Sequence, residues 1–279
     1  MSKKGPSTAL ANWGLLRPRW STRKRQFWEF ERSASLDTRC ERGTHVKKIG
    51  VIGGLSWVST AEYYKRLNEL TNERVGGLSS ARIVLESVDH QEYIEAVIDR
   101  QDEAAASRQI LNAVKIVERA GADFIVISCN DVHRFLPEIA PQIEIPFLHI
   151  AEATAVAIEK LGLRTVGLLG VRKTMEGDFY PKAFDQRNIA TLIPNDVERT
   201  YIDDKILDEL NRNKFTKETR AGYLEVIDSL AKRGAEGIVL GCTEIPLLLS
   251  PDQIPIPSFS TTELHCVAAV EHATSGNRG

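Results

Sequence analysis

Gly121-Ala122-Asp123-Phe124-Ile125-Val126-Ile127-Ser128-Cys129-Asn130-Asp131-Val132 recurs 113 residues later as Gly234-Ala235-Glu236-Gly237-Ile238-Val239-Leu240-Gly241-Cys242-Thr243-Glu244-Ile245. Each copy reads as a Gly-Ala turn, an acidic residue, an apolar run and then a cysteine. Short apolar runs bounded by turn residues are buried strands. A second pair, Ile49-Gly50-Val51-Ile52-Gly53 and Val166-Gly167-Leu168-Leu169-Gly170, lies at an offset of 117. Two matches at nearly one offset predict two similar halves.

The surrounding pattern is α/β. Strands are expected at 47–53, 82–87, 123–128, 145–150, 164–169 and 237–241, with helical stretches between them. Ser59-Thr60-Ala61-Glu62 fits a capping box, and Tyr64, Leu67 and Leu70 share one face of the helix that follows. Gly76-Gly77 ends it. Alternating strands and helices imply parallel sheets covered on both faces. The expected division is a first domain of 46–150 plus 259–279, a second of 151–258, and a basic extension of 1–45.

That extension carries ten Lys or Arg against four acidic residues, leaving 26 basic and 34 acidic residues in the remainder. Its Arg and Ser content admits a transit peptide, but the acidic residues weigh against one. A disordered appendage, or a start placed too early, is the preferred reading. Over all 279 residues the net charge is −2, which favours neither a nucleic-acid nor a membrane partner. No apolar run approaches the roughly 18 residues of a membrane span. The four cysteines (Cys40, Cys129, Cys242, Cys266) form no disulfide-dense, CxxC or HExxH pattern, so free thiols in a cytoplasmic setting and no metal are expected.

Ligands of open parallel sheets bind beyond the carboxyl ends of the strands. Halves facing one another about a pseudo-two-fold axis would put Cys129 and Cys242 on opposite sides of one cleft. Racemising an amino acid removes the Cα proton from one face and returns one to the other. A thiolate and a thiol on opposite faces do this in either direction, and cysteine readily holds both states. Reactive contacts of roughly 3–3.5 Å on each side would hold the sulfurs on the order of 7 Å apart. No lysine here sits in a recognisable cofactor pocket, and Gly53-Gly54 is too short for a dinucleotide fingerprint. The carbanion charge must then rest on the substrate carboxylate, held by Asn130, Thr243 and backbone N–H groups after each cysteine.

Cys129-Asn130, Gly241-Cys242-Thr243-Glu244 and Gly53-Gly54-Leu55-Ser56-Trp57 resemble the signatures of the aspartate/glutamate racemase family, most closely its broad-specificity amino-acid racemases. The resemblance runs from about Lys47 to Ala273. It includes Leu78-Ser79-Ser80-Ala81, Ser87-Val88-Asp89, Pro146-Phe147-Leu148-His149-Ile150 and Thr174-Met175-Glu176-Gly177-Asp178-Phe179-Tyr180. It implies two flavodoxin-like domains with the active site between them, a homodimer, no cofactor, and Cys129 and Cys242 as the catalytic pair. Two departures stand out. Asp131 replaces the threonine that usually follows Cys-Asn, and 88–93 lacks the arginine typical of aspartate racemases. Lys182 aligns with a lysine that holds a distal carboxylate in some members.

Plainer roles compete for several residues. His133 either polarises the thiol or packs in the following helix. Glu244 binds a substrate amino group or simply sits in a first helical turn. Ser56 and Thr174 are substrate hydroxyls or turn residues, Lys182 a ligand or a solvated cation, and Cys266 a core residue. Related proton-transfer chemistry (a hydantoin racemase, an isomerase, a decarboxylase) and a non-catalytic binding homologue are the rival functions.

Overall fold

The computed structural model of the protein describes residues 46–275, so the expectation for 1–45 lies outside the described residues. The chain runs β1 (Ile49–Gly53), α1 (Trp57–Val75), β2 (Ile83–Ser87), α2 (His90–Ile94), α3 (Glu103–Arg119), β3 (Phe124–Ile127), α4 (Leu136–Ile139) and α5 (Ile150–Lys160). It continues through β4 (Thr165–Leu169), α6 (Arg172–Glu176), α7 (Phe179–Asp185), β5 (Ala190–Leu192), α8 (Asp196–Asp208), α9 (Lys217–Lys232), β6 (Gly237–Leu240), α10 (Ile245–Leu248), β7 (Ser258–Ser260) and α11 (Thr261–Thr274). Two parallel sheets result, in the orders β2-β1-β3 and β5-β4-β6-β7.

The repeat seen in the sequence is carried into the register. Ile49 pairs with Phe124 in one sheet and Val166 with Gly237 in the other, which are the same two positions at offsets of 117 and 113. The acidic residue of each copy fastens its sheet at the base. Asp123 accepts from the Lys48 N–H (2.5 Å), and Glu236 accepts from the N–H groups of Arg164 (2.7 Å) and Thr165 (3.2 Å). The acidic residues return the contact through their own amides, Asp123 to Lys48 O and Glu236 to Thr165 O, both at 2.8 Å.

Three local expectations are corrected. The segment 145–150 forms one parallel bridge, Phe147 with Ile125, rather than a strand. Pro146 has no N–H to extend a ladder, and the chain turns into α5 at Ile150 with the His149 ring accepting from the Ala151 N–H. In the other half the equivalent position is β7, and Ile238 donates to Pro257 O (2.8 Å) as Ile125 does to Pro146 O (2.9 Å). Helix α1 begins at Trp57, so Ser59 and Thr60 form no capping box. Their hydroxyls reach back to Ser56 O instead, Ser59 also donates to Ser128 O (3.0 Å), and Thr60 accepts from the Gly54 N–H (2.9 Å). Tyr63, not Tyr64, joins Leu67 and Leu70 in the core, while Tyr64 is exposed.

Helix α11 returns to the first sheet. Its Cys266, Ala269, Val270 and Ala273 pack with Ile49, Val51, Phe124, Val126 and the buried face of α1. Each large aliphatic side chain so buried contributes about 1.5–3 kcal/mol. Cys266 is fully buried here, as a core residue. Among the described residues no helix is long and apolar enough to cross a membrane.

Candidate active site

Both cysteines stand two residues beyond the end of a strand, and the backbone closes each strand end in the same way. Ser128 donates to Ile52 O (2.9 Å) and its counterpart Gly241 to Leu169 O (2.6 Å). Gly241 permits this approach, because a Cβ there would lie 2.7 Å from Leu169 O. The loops that follow open on one cavity of about 650 Å³, lined by Cys129, Asn130 and Asp131 from one half and Thr174, Cys242, Thr243 and Glu244 from the other.

Among the described residues the three cysteines are free thiols. Burial, reinforced by the Asp131 charge, pushes the Cys129 thiol up to about 12. Burial and the Glu244 carboxylate raise Cys242 well above the usual thiol range, and the Cys129 charge adds to this. The Cys242 thiol and the Thr243 hydroxyl both donate to one Glu244 oxygen, at 3.1 and 2.7 Å.

Asn130 is more heavily engaged than a simple substrate donor. Its Oδ1 accepts from Tyr180 OH (2.5 Å), and its Nδ2 donates to Thr261 Oγ1 (3.1 Å), which donates to Leu240 O (2.9 Å). This relay joins the loop of Cys129 to the strand that leads to Cys242. The Asp131 carboxylate turns to an ion pair with Arg134 and accepts from Tyr93 OH (2.8 Å), while its other oxygen has no partner. Arg134 goes on to Glu103 (2.8 Å), and Glu103 pairs with Lys173 from the opposite half.

Thr174 lines the cavity and its buried hydroxyl has no partner. Ser56 is buried ahead of α1, its hydroxyl likewise without a partner among the described residues, but it does not line the cavity. Lys182 lies apart from it, exposed on α7 and paired with Asp178 (2.5 Å). Tyr93, Arg134, Glu103, Lys173 and Asp203 went unanticipated. Arg134 alone had a local signal, its three-residue spacing from Asp131.

His133 sits behind the cavity wall, with Nδ1 2.9 Å from Cys129 O. Its ring packs against His149 and His265, at centroid distances of 4.9 and 5.7 Å. Burial drives all three histidines down, His149 and His265 to about 4. An imidazole that is neutral when folded but protonates near 6.5 when unfolded contributes stability above pH 6.5 and loses it as pH falls. The thermal midpoint should therefore drop steadily between pH 6.5 and about 4, as followed by circular dichroism. Replacing His265 by Gln should flatten that slope.

Fold and site together define a two-sheet α/β protein with a cysteine on each side of its cleft. Residues 52–269 match the family model described as Asp/Glu/Hydantoin racemase, and the chain belongs to that family, a family of isomerases. The broad specificity amino-acid racemase RacX of Bacillus subtilis is 23% identical over 217 residues, covering 77% of this chain and 92% of that protein. Among solved structures, an aspartate racemase homologue from Pyrococcus horikoshii is 29% identical with a TM-score of 0.71, over 82% of this chain and 100% of that one. The aspartate racemase of Picrophilus torridus is 27% identical with a TM-score of 0.68, over 81% and 94%. The chain thus shares the architecture of Asp/Glu racemases, two flavodoxin-like domains.

Proposed function

We propose that this protein is an amino-acid racemase that works without a cofactor, with Cys129 and Cys242 exchanging protons with opposite faces of the substrate Cα. The carrying observation is that equivalent positions of the two halves present both sulfurs to one cavity. One thiolate takes the Cα proton and becomes a thiol. The thiol opposite gives its proton to the carbanion and becomes the thiolate, so the enzyme is ready for the reverse turn. Thr243, the second N–H of Asn130 and the loop amides are candidates to hold the substrate carboxylate as its charge grows. Glu244, already bonded to the Cys242 thiol, suits the α-ammonium and the thiol's proton. A homodimer, a cytoplasmic setting, and two domains of 46–150 with 259–279 and of 151–258 belong to the same reading. The packing of α11 on the first sheet supports grouping 261–274 with the first domain, while Phe259 and Ser260 pair with β6 in the second sheet.

Single-enantiomer amino acids incubated in D₂O should gain deuterium at Cα as optical rotation decays. No exchange with any amino acid would reject the proposal. The raised thiols also set a pH profile. Because a neighbouring carboxylate raises a thiol, Glu244→Gln should lower Cys242. The rising limb of kcat/KM should then move to lower pH. An unmoved limb would remove Glu244 from control of that thiol.

A further inference from the structure

Resting on the racemase reading, the charges around the cavity say which side chain the substrate carries. Five carboxylates line it, from Glu103, Asp131, Glu176, Asp203 and Glu244, against two cations, Arg172 and Lys173. Both cations are already engaged. Lys173 pairs with Glu103, and the Arg172 guanidinium donates to Glu176 (2.7 Å), Asp196 (3.1 Å) and Thr200 (2.7 Å). A second substrate carboxylate would have to break these pairs while facing the surplus acids.

Among the carboxylates, Glu103, Asp131 and Glu176 have arginine or lysine partners. Among the described residues Glu244 has no arginine or lysine partner: the thiol and hydroxyl of its own loop bond to it, and His90, which burial drives down, lies within its electrostatic reach. Asp203, half-buried on α8, accepts the Arg172 backbone N–H (2.7 Å) and feels the Arg172 charge through space, but among the described residues no cation forms an ion pair with it. Asp131 of the opposite half acts on Asp203 through space, and Cys242 and Asp203 both act on Tyr223, which sets Asp203 within electrostatic reach of both sides of the cleft. Tyr93, Ile94, Val97, Ile206 and Leu207 line the same cavity and give it apolar surface suited to a methylene stem.

We infer that the substrate is an α,ω-diamino monocarboxylic acid, its α-ammonium at Glu244 beside the thiols, its aliphatic stem along this apolar surface and its distal cation at Asp203. The two carboxylates with no ion pair among the described residues then each receive one, which offsets the cost of holding their charge away from water.

The experiment is a kcat/KM panel of Cα deuterium exchange on the full chain with L-lysine, L-ornithine, L-norleucine and L-glutamate. Norleucine matches the lysine stem but lacks the charge. Lysine or ornithine should lead norleucine by about tenfold, the worth of one charge-assisted contact, with glutamate slowest. Asp203→Asn should collapse the lysine-to-norleucine ratio by about the same factor, expressed in KM. Norleucine equal to lysine, or glutamate ahead of both, overturns the inference while leaving racemisation standing. Exchange with no amino acid overturns the racemase reading and this inference together. The wild-type panel decides the matter even if the variant fails to fold.

Discussion

Cys129→Ser and Cys242→Ser should each lower the racemisation rate by about 10²–10⁴-fold, the usual worth of one positioned acid–base group. Serine is nearly the same size, so the fold should survive. Its hydroxyl is a far weaker acid than a thiol, so it neither holds the base form nor gives up a proton readily. The two losses should differ in kind. With Cys129 replaced, the Cys242 thiolate still reaches one face, so one enantiomer should exchange its Cα proton with solvent and return unchanged. With Cys242 replaced, the other enantiomer should do so. Proton NMR of each pure enantiomer in D₂O, beside polarimetry, reads both events. If one variant still inverts substrate at the wild-type rate, that sulfur is not a catalytic base and a one-base mechanism replaces this one.

The largest effect on stability is expected at Gly54, in the turn between β1 and α1. Its φ of +91° is a region that side chains rarely occupy, and a Cβ would lie 2.0 Å from Val88 O and 2.6 Å from Val88 N. Those atoms are held, since Val88 N donates to Gly53 O (3.0 Å), so the clash cannot be relieved by a rotamer change. Gly54→Val should cost about 4 kcal/mol or more, a severe core-type defect. At about 2–4 °C per kcal/mol this lowers the thermal midpoint by roughly 10 °C. Gly76 supplies the control. Its φ of +85° and ψ of −179° also suit only glycine, but nothing among the described residues lies within 4 Å of its would-be Cβ, so Gly76→Ala should carry only the backbone cost of about 1–3 kcal/mol. Equal losses at both sites would show that strain, not contact, governs Gly54.

The pairing of Cys129 with Cys242 was legible because it rests on local signals: an apolar run, its end, and a second copy at fixed offset. Short-range patterns also located five strands. They missed β5 and β7, three residues each, and overread 145–150, where Pro146 leaves one bridge. What the sequence hid is contact between distant segments. Asp131 stands where the family usually has a threonine, and nothing local shows that Tyr93, 38 residues earlier, and Arg134 engage its carboxylate. Lys182 aligned with a ligand position but faces solvent on α7. Asp203 carried no signal, because its role depends on which cations elsewhere are already spoken for.

The relay from Tyr180 through Asn130 to Thr261 and Leu240 bears on recombination between relatives. Asn130 belongs to the first half of the chain, whereas Tyr180, Thr261 and Leu240 all come after the second half opens at β4. A crossover between the copies therefore separates the amide from the groups that hold it. Chimeras should keep their activity only when the incoming segment brings a hydroxyl at both the Tyr180 and Thr261 positions. The two halves, alike in backbone, are not interchangeable parts.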